Sequence, residues 1–257
     1  MTQLTHQLER NVVIRATPET VFQFFTDSAR WAKWWGEGST IEGRVGGKVF
    51  IRHPGGLETV GEVLEIEAPL RIVFTYGYPD GRHGLGVGGS RVTIRLEADS
   101  AGTQLLLRHE FAEAQVRDEH AQGWRFQLSL FSNAVANEVY ADAAATADRW
   151  FNAWTISDAA ARAAAFAKVA APGISFRDRN SALEGLEDLS AHAGAAQRFM
   201  PGIGLRRKNE VRHCQGSVLV DWSAAGSDGK ERASGTSLLV LRPDGRIESV
   251  TSFANPQ

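Results

Sequence analysis

The chain has 257 residues, 43% hydrophobic and 23% charged, enough apolar material for one large or two ordinary cores, and this composition excludes disorder as the main state. Lysine and arginine total 28 against 30 aspartate and glutamate, so the net charge of -2 supplies no positive field for nucleic acid or an anionic membrane, and neither is predicted as a partner. A lone cysteine, Cys214, cannot close an internal disulfide, and the opening MTQLTHQLER lacks the basic-then-apolar order of a secretion signal; both suit a cytoplasmic protein. No apolar run approaches the roughly 20 residues of a membrane-spanning helix.

From Leu8 to Arg15 the residues alternate, with Val12 and Ile14 on one side, which predicts a half-buried strand. Thr17 then caps a helix with Pro18 at its first position and Val21, Phe22, Phe24 and Phe25 as its apolar face, and Asp27 and Ser28 break it. Trp31, Trp34 and Trp35 form a short aromatic segment, the i, i+3 pair placing two indoles on one face. Glycine-punctuated β segments follow at Lys48 to Arg52, Thr59 to Ile66, Arg71 to Tyr78, Arg91 to Glu97 and Gln104 to Phe111, a meander that argues for one antiparallel sheet. A long helix opens near Asp118, where Trp124, Leu128, Phe131, Val135 and Val139 make one stripe.

Helical pattern continues through Tyr140, Ala147, Phe151 and Trp154 without Pro or Gly, yet an unbroken helix from Glu119 to Thr155 would be about 55 Å long at 1.5 Å per residue. A break near Asn137 to Asp142 is therefore predicted, with domains at 1–138 and 139–257. The second half restarts with a helix capped by Ser157 or Asp158 and ended by Pro172-Gly173, a short strand at Ile174 to Arg177, and a helix from Leu186 to Phe199. Four β segments close the chain at Leu205 to His213, Ser217 to Ala224, Glu231 to Leu241 and Arg246 to Phe253. The fold class is α+β throughout.

Over about Leu8 to Ala136 the sequence resembles the activator-of-heat-shock-protein-ATPase-like branch of the SRPBCC superfamily, the START-related helix-grip proteins. The motifs that carry it are Ala16-Thr17-Pro18, Trp31-Ala32-Lys33-Trp34-Trp35-Gly36, Arg44-Val45-Gly46-Gly47, Gly61-Glu62-Val63, Arg71-Ile72-Val73-Phe74, Leu107-Arg108-His109 and Gly123-Trp124. The resemblance implies a curved antiparallel sheet gripping a long C-terminal helix, with an apolar cavity between them. Over about Val139 to Phe253 the chain is similar to the SnoaL-like, nuclear-transport-factor-like proteins, through Arg149-Trp150-Phe151, Phe176-Arg177-Asp178, Phe199-Met200-Pro201-Gly202 and Val220-Asp221-Trp222. That likeness implies a cone-shaped α+β barrel, a shape shared by cyclases, isomerases, dehydratases and non-catalytic binding modules.

Within the cone Asp178, at a strand end near the mouth, and His192, on the third helix, are the acid/base candidates, as enolisation or cyclisation needs a tuned proton acceptor beside an oxyanion donor. The plain alternative is an Asp178 ion pair with Arg177 or Arg179 and a packed His192. Catalytic relatives commonly carry an acid two positions after a strand glycine, where Gly235-Thr236-Ser237 offers hydroxyls. Trp150, Trp154, Phe176 and Trp222 line the cone or pack as its core, and Asn209, in phase with Val211, points inward to orient a ligand or bond to backbone. In the first half Trp35, Tyr76, Tyr78, His109 and Trp124 supply an apolar pocket with polar tips. Glu110, beside His109, points to the opposite face and cannot assist it.

Gly84-Leu85-Gly86-Val87-Gly88-Gly89 matches G-x-G-x-x-G, but a strand follows it, so dinucleotide binding is not predicted and a hairpin gating the first cavity is preferred. No His, Cys or acid spacing suits zinc, and neither metal nor other cofactor is predicted. The function these features favour is binding of a small hydrophobic or aromatic molecule. Acid/base catalysis in the second cavity and a protein-interaction or co-chaperone role are the alternatives, and the cone fold implies a homodimer.

Overall fold

The computed structural model describes residues 3–256, which form two compact units, Met1–Ala136 and Asn137–Gln257. In the first unit β1 (His6–Ile14) leads to α1 (Pro18–Gln23) and α2 (Ser28–Trp35). Thr17 caps α1 as its spacing predicts, and Asp27 does more than interrupt: its Oδ1 accepts from the Arg30 amide at 2.8 Å and starts α2. β2 (Thr40–Ile41), β3 (Lys48–Arg52), β4 (Glu58–Glu67), β5 (Arg71–Tyr76), β6 (Ser90–Asp99) and β7 (Gly102–Phe111) precede the long helix α3 (Ala114–Val139).

These strands form one antiparallel sheet ordered β1-β7-β6-β5-β4-β3-β2. Alternation assigns its faces: Leu105, Leu107, His109 and Phe111 of β7 are buried, as are Val92, Ile94 and Leu96 of β6, whereas Glu110 pairs with Arg91 across the other face. Phe131 of α3 stacks on Phe25 at 4.9 Å and meets Phe24 and Trp34 edge-on. Gln127 of α3 donates to the Trp34 carbonyl. The long helix and antiparallel sheet are those of a helix-grip domain.

In the second unit α4 (Ala143–Ala153) and α5 (Ala159–Val169) come first; the helical pattern does break, at 140–142. Asp158 caps α5, accepting from Ala161 N at 2.7 Å. β8 (Ala170–Arg177) begins directly after α5, so Pro172-Gly173 lies inside a strand and does not end the helix. Ala170 and Ala171 are buried and Ala170 pairs with Ile247, and tertiary pairing outweighs the breaker signal. β9 (Ala182–Glu184), α6 (Gly185–Phe199), β10 (Gly204–Arg207), β11 (Arg212–Cys214), β12 (Ser217–Ala225), β13 (Glu231–Leu241) and β14 (Ile247–Ala254) complete it.

The sheet runs β10-β12-β13-β14-β8-β9, with β11 also paired to β12 and with β14-β8 parallel. It is an open mixed sheet, which corrects the cone-shaped barrel: β10 and β9 are its two ends, and no ladder pairs one with the other among the described residues. The predicted strand Leu205 to His213 is also two strands, because residues 208–211 leave the ladder between them.

Candidate functional site

The first unit holds a groove of about 630 Å³ whose lining includes Trp35, His53, Tyr76, Tyr78, His120 and Trp124. Four of the five residues predicted there, Trp35, Tyr76, Tyr78 and Trp124, thus come together. From α3 the groove takes His120, Gly123, Trp124 and Gln127, spaced i, i+3, i+4 and i+7, one face of the helix. β5 contributes Tyr76, and the segment after it Tyr78 and His83.

The three indoles of α2 differ in one respect. Trp31 Nε1 donates to the Phe50 carbonyl and Trp34 Nε1 to the Phe24 carbonyl, each at 3.3 Å. Trp35 Nε1 is buried with no hydrogen-bond partner among the described residues. It is this third indole that lines the groove, edge-on to Trp124 at 5.7 Å and to His53 at 5.6 Å.

His109 does not line the groove; it stands behind Trp124 and is completely buried. Trp124 Nε1 donates to His109 Nδ1 at 2.9 Å, so the ring proton sits on Nε2 and is donated to Ser90 Oγ at 2.8 Å, and Ser90 donates onward to the Tyr76 carbonyl at 2.7 Å. Every donor in this relay has one acceptor, and the relay fixes the tautomer. Burial, then the neighbouring His120, holds the His109 pKa well below 6.5, so the ring is neutral at pH 7. Its role here is to orient Trp124 and join it to β5 and β6.

His53 Nε2 lies 3.2 Å from Thr59 Oγ1 and 3.4 Å from the Tyr76 hydroxyl. Burial lowers the His53 pKa and raises that of the Tyr76 phenol above its ordinary value. His120 Nδ1 lies 2.7 Å from the Val116 carbonyl, which makes that nitrogen the N–H donor and leaves Nε2 a bare acceptor, buried and without a partner among the described residues. His83, in the left-handed region at φ 56°, meets Tyr78 at 5.3 Å and lies 3.5 Å from Glu119. The Gly84–Gly89 loop runs into β6 and no helix, as its context predicts.

Sequence reasoning missed His53, His120, Gly123 and Gln127 as groove residues. His120 stands one turn before Trp124, so extending the α3 stripe backwards by four residues would have found it. Nothing local marks His53, which the β3–β4 turn carries in.

In the second unit the aromatic set packs on itself. Trp150 meets Trp154 at 5.7 Å and Phe166 at 5.5 Å, Trp154 meets Phe176 at 5.2 Å, and Trp150 is 1% exposed. A cleft of about 940 Å³ lies at the strand ends, lined by Asp178, Trp222, Ser252 and Phe253 among others. Asp178 Oδ1 accepts from the Asn180 amide at 2.8 Å, a turn closed by its own side chain, and Arg177 bonds to Glu184. His192 Nε2 lies 3.3 Å from Ser181 Oγ and its ring faces Trp154, and no hydrogen bond or ion pair joins it to Asp178 among the described residues. Ser237, two positions after Gly235, is buried and donates to Ser252 Oγ at 2.9 Å. Asn209 corrects its prediction: it is exposed in the loop between β10 and β11, bonded to Asp221 on the face opposite Trp222. The ladder ends at Arg207, so the alternation that would have turned Asn209 inward stops two residues early.

Among the described residues no cluster of three or more His, Cys, Asp or Glu is placed to hold a metal ion, and no helix is long and apolar enough to cross a membrane.

A two-unit α+β protein with an aromatic groove under the long helix of a helix-grip domain is the class this geometry defines. Residues 15–136 match the family described as Activator of Hsp90 ATPase homolog 1-like protein, so the first unit carries a domain of that family. Solved structures resemble part of the chain. A SnoaL-like family protein from Agrobacterium tumefaciens is 23% identical, covering 44% of this chain and 96% of its own, with a TM-score of 0.42. The Aha1 dimer from Colwellia psychrerythraea is 19% identical over 51% of this chain and 96% of its own (TM-score 0.44). Protein CV1439 from Chromobacterium violaceum is 27% identical over 50% and 96% (TM-score 0.42). No curated protein matched the chain.

Proposed function

We propose that the first unit binds a small, flat hydrophobic or aromatic molecule in the groove beneath α3. Gly123 is the observation that carries this. It sits inside a helix, where glycine is less favourable than alanine by about 1 kcal/mol, and a Cβ built there meets nothing within 4 Å. Helix stability is given up at a position of α3 that lines the groove between His120 and Trp124, where the space beside the backbone is open. Calorimetric titration of the full chain with naphthalene-type probes tests this directly, with Gly123→Leu as the blocked control. Binding to the wild type and its loss in a folded Gly123→Leu protein are the expected results; binding unaffected by Gly123→Leu overturns the assignment to this groove.

The same proposal assigns 139–257 as a SnoaL-like domain, supported by its three helices and mixed sheet, and keeps the chain as a homodimer. Leu238 and Phe253 stand exposed on the sheet face opposite Val220, Leu239 and Val250, and they offer the apolar material for self-association. Light scattering at the mass of one chain overturns the dimer.

A further inference from the structure

Two residues that line the groove, His120 and Trp35, each keep one buried polar atom without a partner among the described residues, and the two atoms differ in kind. His120 Nε2 is an acceptor, because the Val116 carbonyl takes the ring's proton at Nδ1; Trp35 Nε1 can only donate. Both atoms are buried, and an unmatched buried donor or acceptor is costly enough that native proteins rarely retain one. Elsewhere in this groove polar groups are matched: Trp124 with His109, and His53 with Thr59 and the Tyr76 hydroxyl. The lining also contains Glu119 and no Lys or Arg, and the carboxylate end of a fatty or aromatic acid would meet no cation there.

We infer that the ligand of this groove is an uncharged hydroxylated aromatic, a phenol or naphthol in chemical class, whose O–H donates to His120 Nε2 while a ligand oxygen accepts from Trp35 Nε1. The inference rests on the groove being the binding site. Apolar rings of the ligand meet Tyr76, Tyr78 and Trp124, and the hydroxyl supplies the donor that none of the described residues supplies. Burial lowers the His120 pKa, so the ring remains an acceptor at neutral pH. An ether of the same shape lacks the donor, and a carboxylate brings a charge that Glu119 repels.

The test is calorimetric titration of the full chain at pH 7.5 with 2-naphthol, 2-methoxynaphthalene and 2-naphthoate, on the wild type and on His120→Phe. Naphthol is expected to bind about tenfold more tightly than its methyl ether, the loss of one matched hydrogen bond, with naphthoate the weakest of the three. His120→Phe is expected to bring naphthol and ether to equal affinity. Equal binding of naphthol and ether by the wild type overturns the inference while leaving the groove assignment intact, as does a naphthol preference that survives in His120→Phe. Binding of none of the three overturns the groove assignment itself. The wild-type comparison decides the matter even where the variant does not fold.

Discussion

The two units use similar aromatic side chains to opposite ends. In the second, Trp150, Trp154, Phe166 and Phe176 pack ring against ring, and only Trp222 of the predicted set is left to line the cleft at the strand ends. In the first, Phe24, Phe25, Trp31, Trp34 and Phe131 make an equally closed core, but Trp35, Tyr76, Tyr78 and Trp124 face a groove with histidines around it. An aromatic cluster is thus a core or a site according to whether its outer face meets another ring or a gap. Here a glycine of α3 lies on the open side of the gap, and His109 and Ser90 brace the Trp124 ring from behind.

This contrast is broken or sharpened by substitution, beginning with the largest effect. Phe131→Ala and Trp150→Ala each remove a closed-core ring and should destabilise their units by about 3–5 kcal/mol in urea unfolding, while Trp35→Ala should cost less stability and more probe affinity. A Trp150→Ala loss below about 1 kcal/mol would show that the second interior is not the packed core described.

Acid should act next. The pKa of His109 is depressed in the folded state, so below 6.5 the unfolded chain binds more protons than the folded one. Stability of the first unit is therefore complete above that pH and falls as pH drops below it, by up to about 1.4 kcal/mol per unit of pH for one such histidine. His109→Phe should flatten this slope in pH-dependent unfolding, and an unchanged slope would remove His109 as its source. Gly123→Ala should stabilise the first unit by about 1 kcal/mol, since the helix gains and nothing is crowded. Destabilisation on that change would mean that the space beyond Gly123 is not open. Asp178→Ala should have the smallest effect, about 0.5–1 kcal/mol, the worth of one turn hydrogen bond.

Much of the fold was legible because it is written in local periodicity. The β3 to β7 meander, the Thr17 and Asp158 caps and the break after Val139 each follow from residues within a turn or a strand of the feature. Alternation alone placed Glu110 opposite to His109. What was not legible involved partners distant in sequence: the β8 strand running through Pro172-Gly173 is set by pairing with β14, and the exposed position of Asn209 by where β10 stops pairing with β12. The role of His109 belongs here too, for a histidine in a strand reads as a pocket tip until the indole of Trp124 and the hydroxyl of Ser90 are seen on its two nitrogens.

The sequence by itself determined the α+β class, the two-part organisation, the aromatic content and four of the groove-lining residues, since each depends on the spacing of neighbours along the chain. Tertiary structure alone decided which aromatics close on one another and which leave a gap. It also decided that His53, His83 and His120, far apart in sequence, share one groove, and that His120 Nε2 and Trp35 Nε1 remain unmatched. The physical reason is that a hydrogen bond or a packed face is satisfied by whatever is nearest in space, and spatial proximity between strand, turn and helix is fixed only when the sheet closes around α3.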